Sequence, residues 1–231
     1  MRIAPLAMTL LALCMRTPAQ EAPRQDFSAA ERLLFMDYQL GNVKPPTTLR
    51  YTFRKSGTLE SGFEDEVSLT LKRGADGRCC ATHTDFLSAG RRLQLPDLPS
   101  AEGNPVILHF LEREVSEMQR LTRGSQTHFR KRIRMAVYGA ATVQGVTLRY
   151  RGRDVKGQEV RITPFVDDPN RPRYEQLARK EYRFLLSDAL PGGLYGIRTL
   201  VAAADGASPP LLAEELTIDG AEGTNTKGER R

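Results

Sequence analysis

The chain has 231 residues, 40% of them hydrophobic and 27% charged, with no tryptophan and a formal charge of +6. That much apolar material suffices for a core and excludes an intrinsically disordered chain. Three cysteines, one of them at position 14, exclude a disulfide-rich scaffold.

The first residues, MRIAPLAMTLLALCMRTPAQ, carry Arg2, an uncharged apolar run from Leu6 to Met15 and small residues around Ala19. That order of charge, apolar run and small-residue site is that of a cleavable signal peptide over residues 1–19. The run is too short to span a bilayer, and no later stretch is long and apolar enough. The expected location is therefore periplasmic or secreted, with no transmembrane segment in the mature chain. Leu11-Ala12-Leu13-Cys14 also has the look of a lipoprotein box, which would make Cys14 a lipid anchor.

Ser28 and Glu31 form a capping box that opens a short helix over residues 29–40. Leu49, Tyr51 and Phe53 alternate with polar residues, as do Phe63, Val67, Leu69 and Leu71; each set predicts a half-buried strand. A turn at residues 74–77 returns the chain through Cys79 to Leu87, and a short strand follows at Leu93 and Leu95. Asn104-Pro105 is an N-cap with proline at the first helical position. The helix after it places Ile107, Leu108, Leu111, Val115, Met118 and Leu121 on one face. His109, Glu112, Arg113, Ser116, Glu117 and Arg120 lie on the other.

From Phe129 the alternation of Phe129, Ile133, Met135 and Val137 with Arg130, Arg132 and Arg134 predicts a strand. Val146, Leu148 and Tyr150 alternate with Arg149 and Arg151, and after a turn within residues 152–157 comes a strand at Val160 and Ile162. A loop at residues 167–172 and a short helical piece near Tyr174 lead to strands at residues 182–186, 194–202 and 212–218. The expected fold is mainly β (α+β), with antiparallel sheets, two or three helices and a C-terminal β-sandwich-like part. Its divisions are an α+β part over residues 27–141, the sandwich-like part over 142–220 and a disordered tail over 221–231.

Leu190-Pro191-Gly192-Gly193 followed by Tyr195, Ile197 and Thr199 resembles the tyrosine-corner region of immunoglobulin-like and prealbumin-like β-sandwich modules. The resemblance implies that the Tyr195 hydroxyl bonds back to upstream backbone. The whole chain resembles uncharacterised exported proteins of Gram-negative bacteria. The order of helices and strands is also similar to that of periplasmic lipoprotein-carrier half-barrels, which implies an apolar or lipid ligand held between a curved sheet and its helices.

Eleven basic residues and two acids lie between Arg120 and Arg161. Arg130, Arg132 and Arg134 on one strand, continued by Arg149, Arg151 and Arg153 on a neighbour, would make a basic sheet face. Arginine forks grip phosphate and carboxylate. The expected partners are anionic lipid, lipopolysaccharide or an envelope protein. Nucleic acid is not expected, because few aromatics interleave the basic residues. The bland reading of the same arginines is a solvated face paired with acids such as Glu64 and Glu66.

Cys79, Cys80 and His83 do not have metal or redox spacing. The expectation is a buried Cys80 thiol and an incidental surface thiol at Cys79, both structural. No nucleophile-elbow sequence is present, and the histidines are scattered. No catalytic residue, metal or cofactor is therefore assigned. The leading expectation is a non-enzymatic envelope protein that binds or scaffolds. The alternatives are the lipid carrier and a metal-handling protein or hydrolase built around His83 or His109.

Overall fold

The computed structural model describes residues 26–222 except 75, 76 and 78. The expected signal peptide, Cys14 and residues 223–231 lie outside the described residues. The capping box forms as expected: Ser28 Oγ accepts from the Glu31 N–H and the Glu31 carboxylate from the Ser28 N–H. It opens α1 (Ala29–Glu31), which runs into a single wider turn, Arg32–Met36.

Eight strands follow: β1 (Thr47–Ser56), β2 (Phe63–Arg73), β3 (Cys79–Phe86), β4 (Thr142–Tyr150), β5 (Arg153–Ile162), β6 (Glu181–Leu186), β7 (Leu194–Val201) and β8 (Leu212–Ile218). They form one antiparallel sheet in the order β3-β2-β1-β8-β7-β6-β5-β4. The strands β4–β8 thus continue the sheet of β1–β3 through the β1–β8 pairing, where a C-terminal β-sandwich-like part was expected. Leu93 and Leu98 make only isolated bridges to Phe86 and Thr82, so the short strand expected at Leu93 does not form.

Two helices, α2 (Pro105–Thr122) and α3 (Gln126–Gly139), join β3 to β4. Asn104 caps α2 as its sequence predicts, accepting from the Val106 N–H. The sheet face under the helices carries Tyr51, Phe53, Val67, Leu69, Phe184, Ile197 and Leu216, all fully buried. Val106, Ile107, Phe110 and Met118 of α2 fill the space above them. Each such side chain contributes about 1.5–3 kcal/mol by leaving water.

The segment from Phe129 is a helix, not the expected strand. Phe129, Ile133, Ala136 and Val137 are the residues of α3 that are buried. Their spacing of four, seven and eight is helical, and it overlaps the period-two pattern at Phe129, Ile133 and Val137. Lys131 and Met135, which strict alternation would bury, are exposed.

The far end of the sheet folds back on itself. The β4–β5 turn is the tight pair Arg151-Gly152, rather than a loop within residues 152–157. Tyr150 bridges to Ala221, the Arg151 N–H donates to Gly220 O at 2.8 Å and the Glu222 N–H to Arg149 O at 3.0 Å. Ala221 and Glu222, expected in a disordered tail, are therefore fastened to the hairpin. On the face away from the helices this closure encloses a small second core of Leu148, Leu185, Leu190 and Tyr195. The Tyr195 hydroxyl donates to Arg149 O at 3.1 Å, a bond back to upstream backbone of the kind its motif implies.

Candidate functional site

The six arginines of the expected basic sheet face are split. Arg130, Arg132 and Arg134 sit on α3, while Arg149, Arg151 and Arg153 sit at the β4–β5 hairpin tip. Arg130 grips Glu112 of α2 with two prongs, at 2.8 and 2.7 Å. Arg132 donates to Pro164 O at 3.1 Å and lies 3.6 Å from Asp168. Arg134 is exposed and makes no ion pair among the described residues. Arg149 is taken up by Asp154 and Glu222. The outward sheet face is likewise laced with ion pairs, Arg54 with Glu64, Arg161 and Arg183 with Glu181, and Arg198 with Glu215. All of these but Arg161 line an open trough of about 670 Å³ whose charges largely compensate.

Arg151 is different. It opens onto a cleft of about 430 Å³ lined by Lys44, Arg50, Tyr150, Pro191 and Asp219 among others. Its φ of 47° is left-handed, the first position of a turn that asparagine or glycine fills at lower cost. The strain of a bulky residue there is on the order of 1 kcal/mol. The side chain is held in place. Its guanidinium lies 5.3 Å from the centre of the Tyr150 ring, and its stem packs so tightly on Gly220 that an added Cβ there would meet Arg151 Cγ at 2.8 Å. Neither Arg151 nor Lys44 forms an ion pair among the described residues. Arg50 pairs with Glu66 at 2.6 Å, but both are more than half exposed, so the pair is worth little and can exchange for another anion. The cleft therefore presents three cations against one carboxylate, with one guanidinium preorganised.

A second charged cluster is buried between α2 and the sheet, and the sequence reading missed it. Lys55 of β1, Lys180 before β6 and Glu214 of β8 face Arg113, Glu114 and Glu117 of α2. Arg113 Nη1 lies 3.0 Å from both Glu114 and Glu214. Lys180 pairs with Glu114 and stands 3.3 Å from Glu214. Thr199 Oγ1 donates to Glu214 at 3.2 Å, and Lys55 reaches Glu60 at 2.7 Å and Glu117 at 3.2 Å. Arg113 and His109, expected on the polar face of the helix, are buried, and so is Glu114.

Burial and the neighbouring Glu214 carboxylate push Glu114 upward. Burial acts the same way on Glu214, but Lys180 and Arg113 outweigh it and hold Glu214 well below the carboxylate range. Arg120 and Lys55 likewise hold Glu60 at about 2. Lys55, Thr199 and Glu214 border the open trough as well, but the charges of Lys55 and Glu214 are paired with Glu117 and Arg113 of α2, so the cluster is a fastening of helix to sheet.

The remaining candidates are dispersed. His83 of β3 pairs with Asp97 at 2.6 Å, which raises it. His109 of α2 is lowered by burial. His128 of α3 holds Asp168 at 2.6 Å. Among the described residues no three or more His, Cys, Asp or Glu are placed to hold a metal. Cys80 is buried as expected, but Cys79 is part-buried rather than a surface group, and the two are joined as a vicinal disulfide instead of standing as free thiols. The β2–β3 register pairs Leu71 with Thr82, two residues from the pairing a four-residue turn predicts, because the strands close at Arg73–Cys79, one residue further on, and a bulge at Lys72/Arg73 adds the other.

No family model matches the chain, and no curated protein does. Among solved structures, it is similar to the Mycobacterium tuberculosis lipoprotein LppX, at 10% identity and a TM-score of 0.32 over 78% of this chain and 90% of that one. No function follows from a likeness that loose.

Proposed function

We propose that the protein is an exported, non-enzymatic binding protein that takes an anionic group, a phosphate above all, in the hairpin-tip cleft. Arg151 carries the reading: a bulky cation occupies a left-handed turn position and is held by Tyr150 and Gly220 where it faces Lys44 and Arg50. Charge-assisted bonds from a fixed guanidinium to phosphate are strong and geometrically selective. Of the six arginines singled out in the sequence, this assigns the role to Arg151. Arg50 and Lys44 join it from segments the sequence reading did not connect.

Calorimetry with inorganic phosphate at constant ionic strength tests it. Saturable binding is expected, weakened about tenfold by Arg151→Gly through loss of one charge-assisted bond. Binding unchanged in Arg151→Gly and in Lys44→Glu contradicts it.

A second reading, a carrier of an apolar ligand, rests on the apolar sheet face under α2 and requires the ionic seam between them to open. If α2 lifts from that seam, the apolar inner face becomes a groove for an acyl chain. Uptake of one fluorescent fatty acid per protein is the expected result of that reading, and no uptake dismisses it.

A further inference from the structure

Eight large apolar side chains stand exposed among the described residues, and six of them gather at one end of the helical layer. Phe27, Met36 and Tyr38 come from the N-terminal segment, Leu108 from α2, and Met135 and Tyr138 from α3. Several bonds fix their neighbourhood. Ser28 Oγ donates to Val137 O, next to Tyr138. The Asn104 N–H at the start of α2 donates to Gln39 Oε1 at 2.7 Å. The Arg130–Glu112 fork sets α2 against α3, and one helical turn from that pair brings Leu108 level with Arg134. Met135 and Tyr138 are 49% and 62% exposed, and contiguous exposed apolar patches, unlike single residues, mark interaction sites.

The charge beside this patch is one-signed on α3, which holds Arg130, Lys131, Arg132 and Arg134 and no acid. Arg130 and Arg132 are engaged, which leaves Lys131 and Arg134 without an ion pair among the described residues. Asp26 and Asp37 lie on the N-terminal segment.

We infer that this end of the molecule is a membrane-contacting face that rests on an anionic bilayer. Met135, Tyr138, Leu108 and Phe27 enter the headgroup layer, and Lys131 and Arg134 lie at the level of the lipid phosphates. Charge complementarity favours an anionic bilayer over a second protein. Methionine and tyrosine beside unpaired cations are the side chains of an interfacial helix face. The face is distinct from the hairpin-tip cleft and stands or falls separately.

The absence of tryptophan supplies the test. Met135→Trp places one fluorophore in the patch, and Leu59→Trp places one beside the far end of α2, near the Glu60–Arg120 pair. With phosphatidylcholine vesicles containing phosphatidylglycerol, the Met135→Trp emission is expected to shift to the blue and the Leu59→Trp emission to stay put. Phosphatidylcholine alone should give the weaker response. Lys131→Glu with Arg134→Glu should cut vesicle retention about tenfold or more. Arg151→Gly should leave retention unchanged. No shift and no retention, or retention indifferent to the charge reversals, overturns the inference. So does a blue shift without vesicles that grows with protein concentration, which assigns the face to a second copy of the chain. Loss of retention in Arg151→Gly overturns it as well, by assigning the vesicles to the cleft. All five substituted side chains are on exposed positions, and unchanged thermal melts confirm that the variants fold.

Discussion

The two faces of the sheet use charge in opposite ways. Under α2 the charges are buried, shared and stationary: Lys180 and Arg113 each serve both Glu114 and Glu214. At the hairpin tip Arg151 and Lys44 are exposed and unshared, and the one cation there with a partner, Arg50, holds it weakly. The difference separates a fastening from a site. A buried charge that has its partners has no capacity left for a ligand, whereas a fixed cation beside solvent does. Arginine content alone does not make that distinction; the surroundings of each arginine do.

The sharpest way to break the comparison is Lys180→Met. It removes the cation shared by two buried carboxylates and should cost about 3–5 kcal/mol of stability in urea unfolding. A loss under half a kilocalorie per mole would mean that the inner cluster is not a fastening. Acid should act next. Glu60 is held at about 2, below its ordinary 4.5, and Glu214 is lowered too. Their contribution is therefore complete above about pH 4.5 and is lost as pH falls towards about 2. Glu114 is raised, so it has the opposite sign: its contribution is complete at low pH and fades as pH rises through its folded value. Thermal melts against pH should accordingly drop steeply on the acid side, and a flat acid limb refutes the assignment.

Smaller effects belong to the outer face. Tyr195→Phe removes the bond to Arg149 O and should cost about 0.5–1.5 kcal/mol. Arg151→Gly relieves the left-handed turn and should raise stability by up to about 1 kcal/mol. The two together sharpen the contrast, since the first weakens the closure of the hairpin and the second strengthens it.

Much of the fold was legible in the sequence because local patterns coincided with tertiary demands. The capping box at Ser28 and Glu31, the Asn104-Pro105 start and the alternation through β1, β2, β7 and β8 all placed their elements. Phe129 to Val137 was not legible, because the apolar spacing of α3 satisfies both periods at three of its four buried positions. The buried cluster did leave a signal. Lys55 occupies the next inward slot after Leu49, Tyr51 and Phe53, and Glu214 sits between Leu212 and Leu216 in the inward row of β8. A charge in an apolar row requires an opposite charge on whatever packs against it, which points to α2. The cleft was half legible. Arg151 was singled out, but Lys44 and Arg50 reach it only because the sheet folds back and joins the hairpin tip to Gly220, and no local pattern encodes that closure.

The most direct test of the central claim, that Arg151 is held under strain in order to bind an anion, is a paired measurement on Arg151→Gly. Its melting temperature and its affinity for inorganic phosphate are measured beside those of the unaltered protein. The account predicts a higher melting temperature together with phosphate binding weakened about tenfold. A variant that binds phosphate as tightly as the parent, whatever its stability, contradicts it.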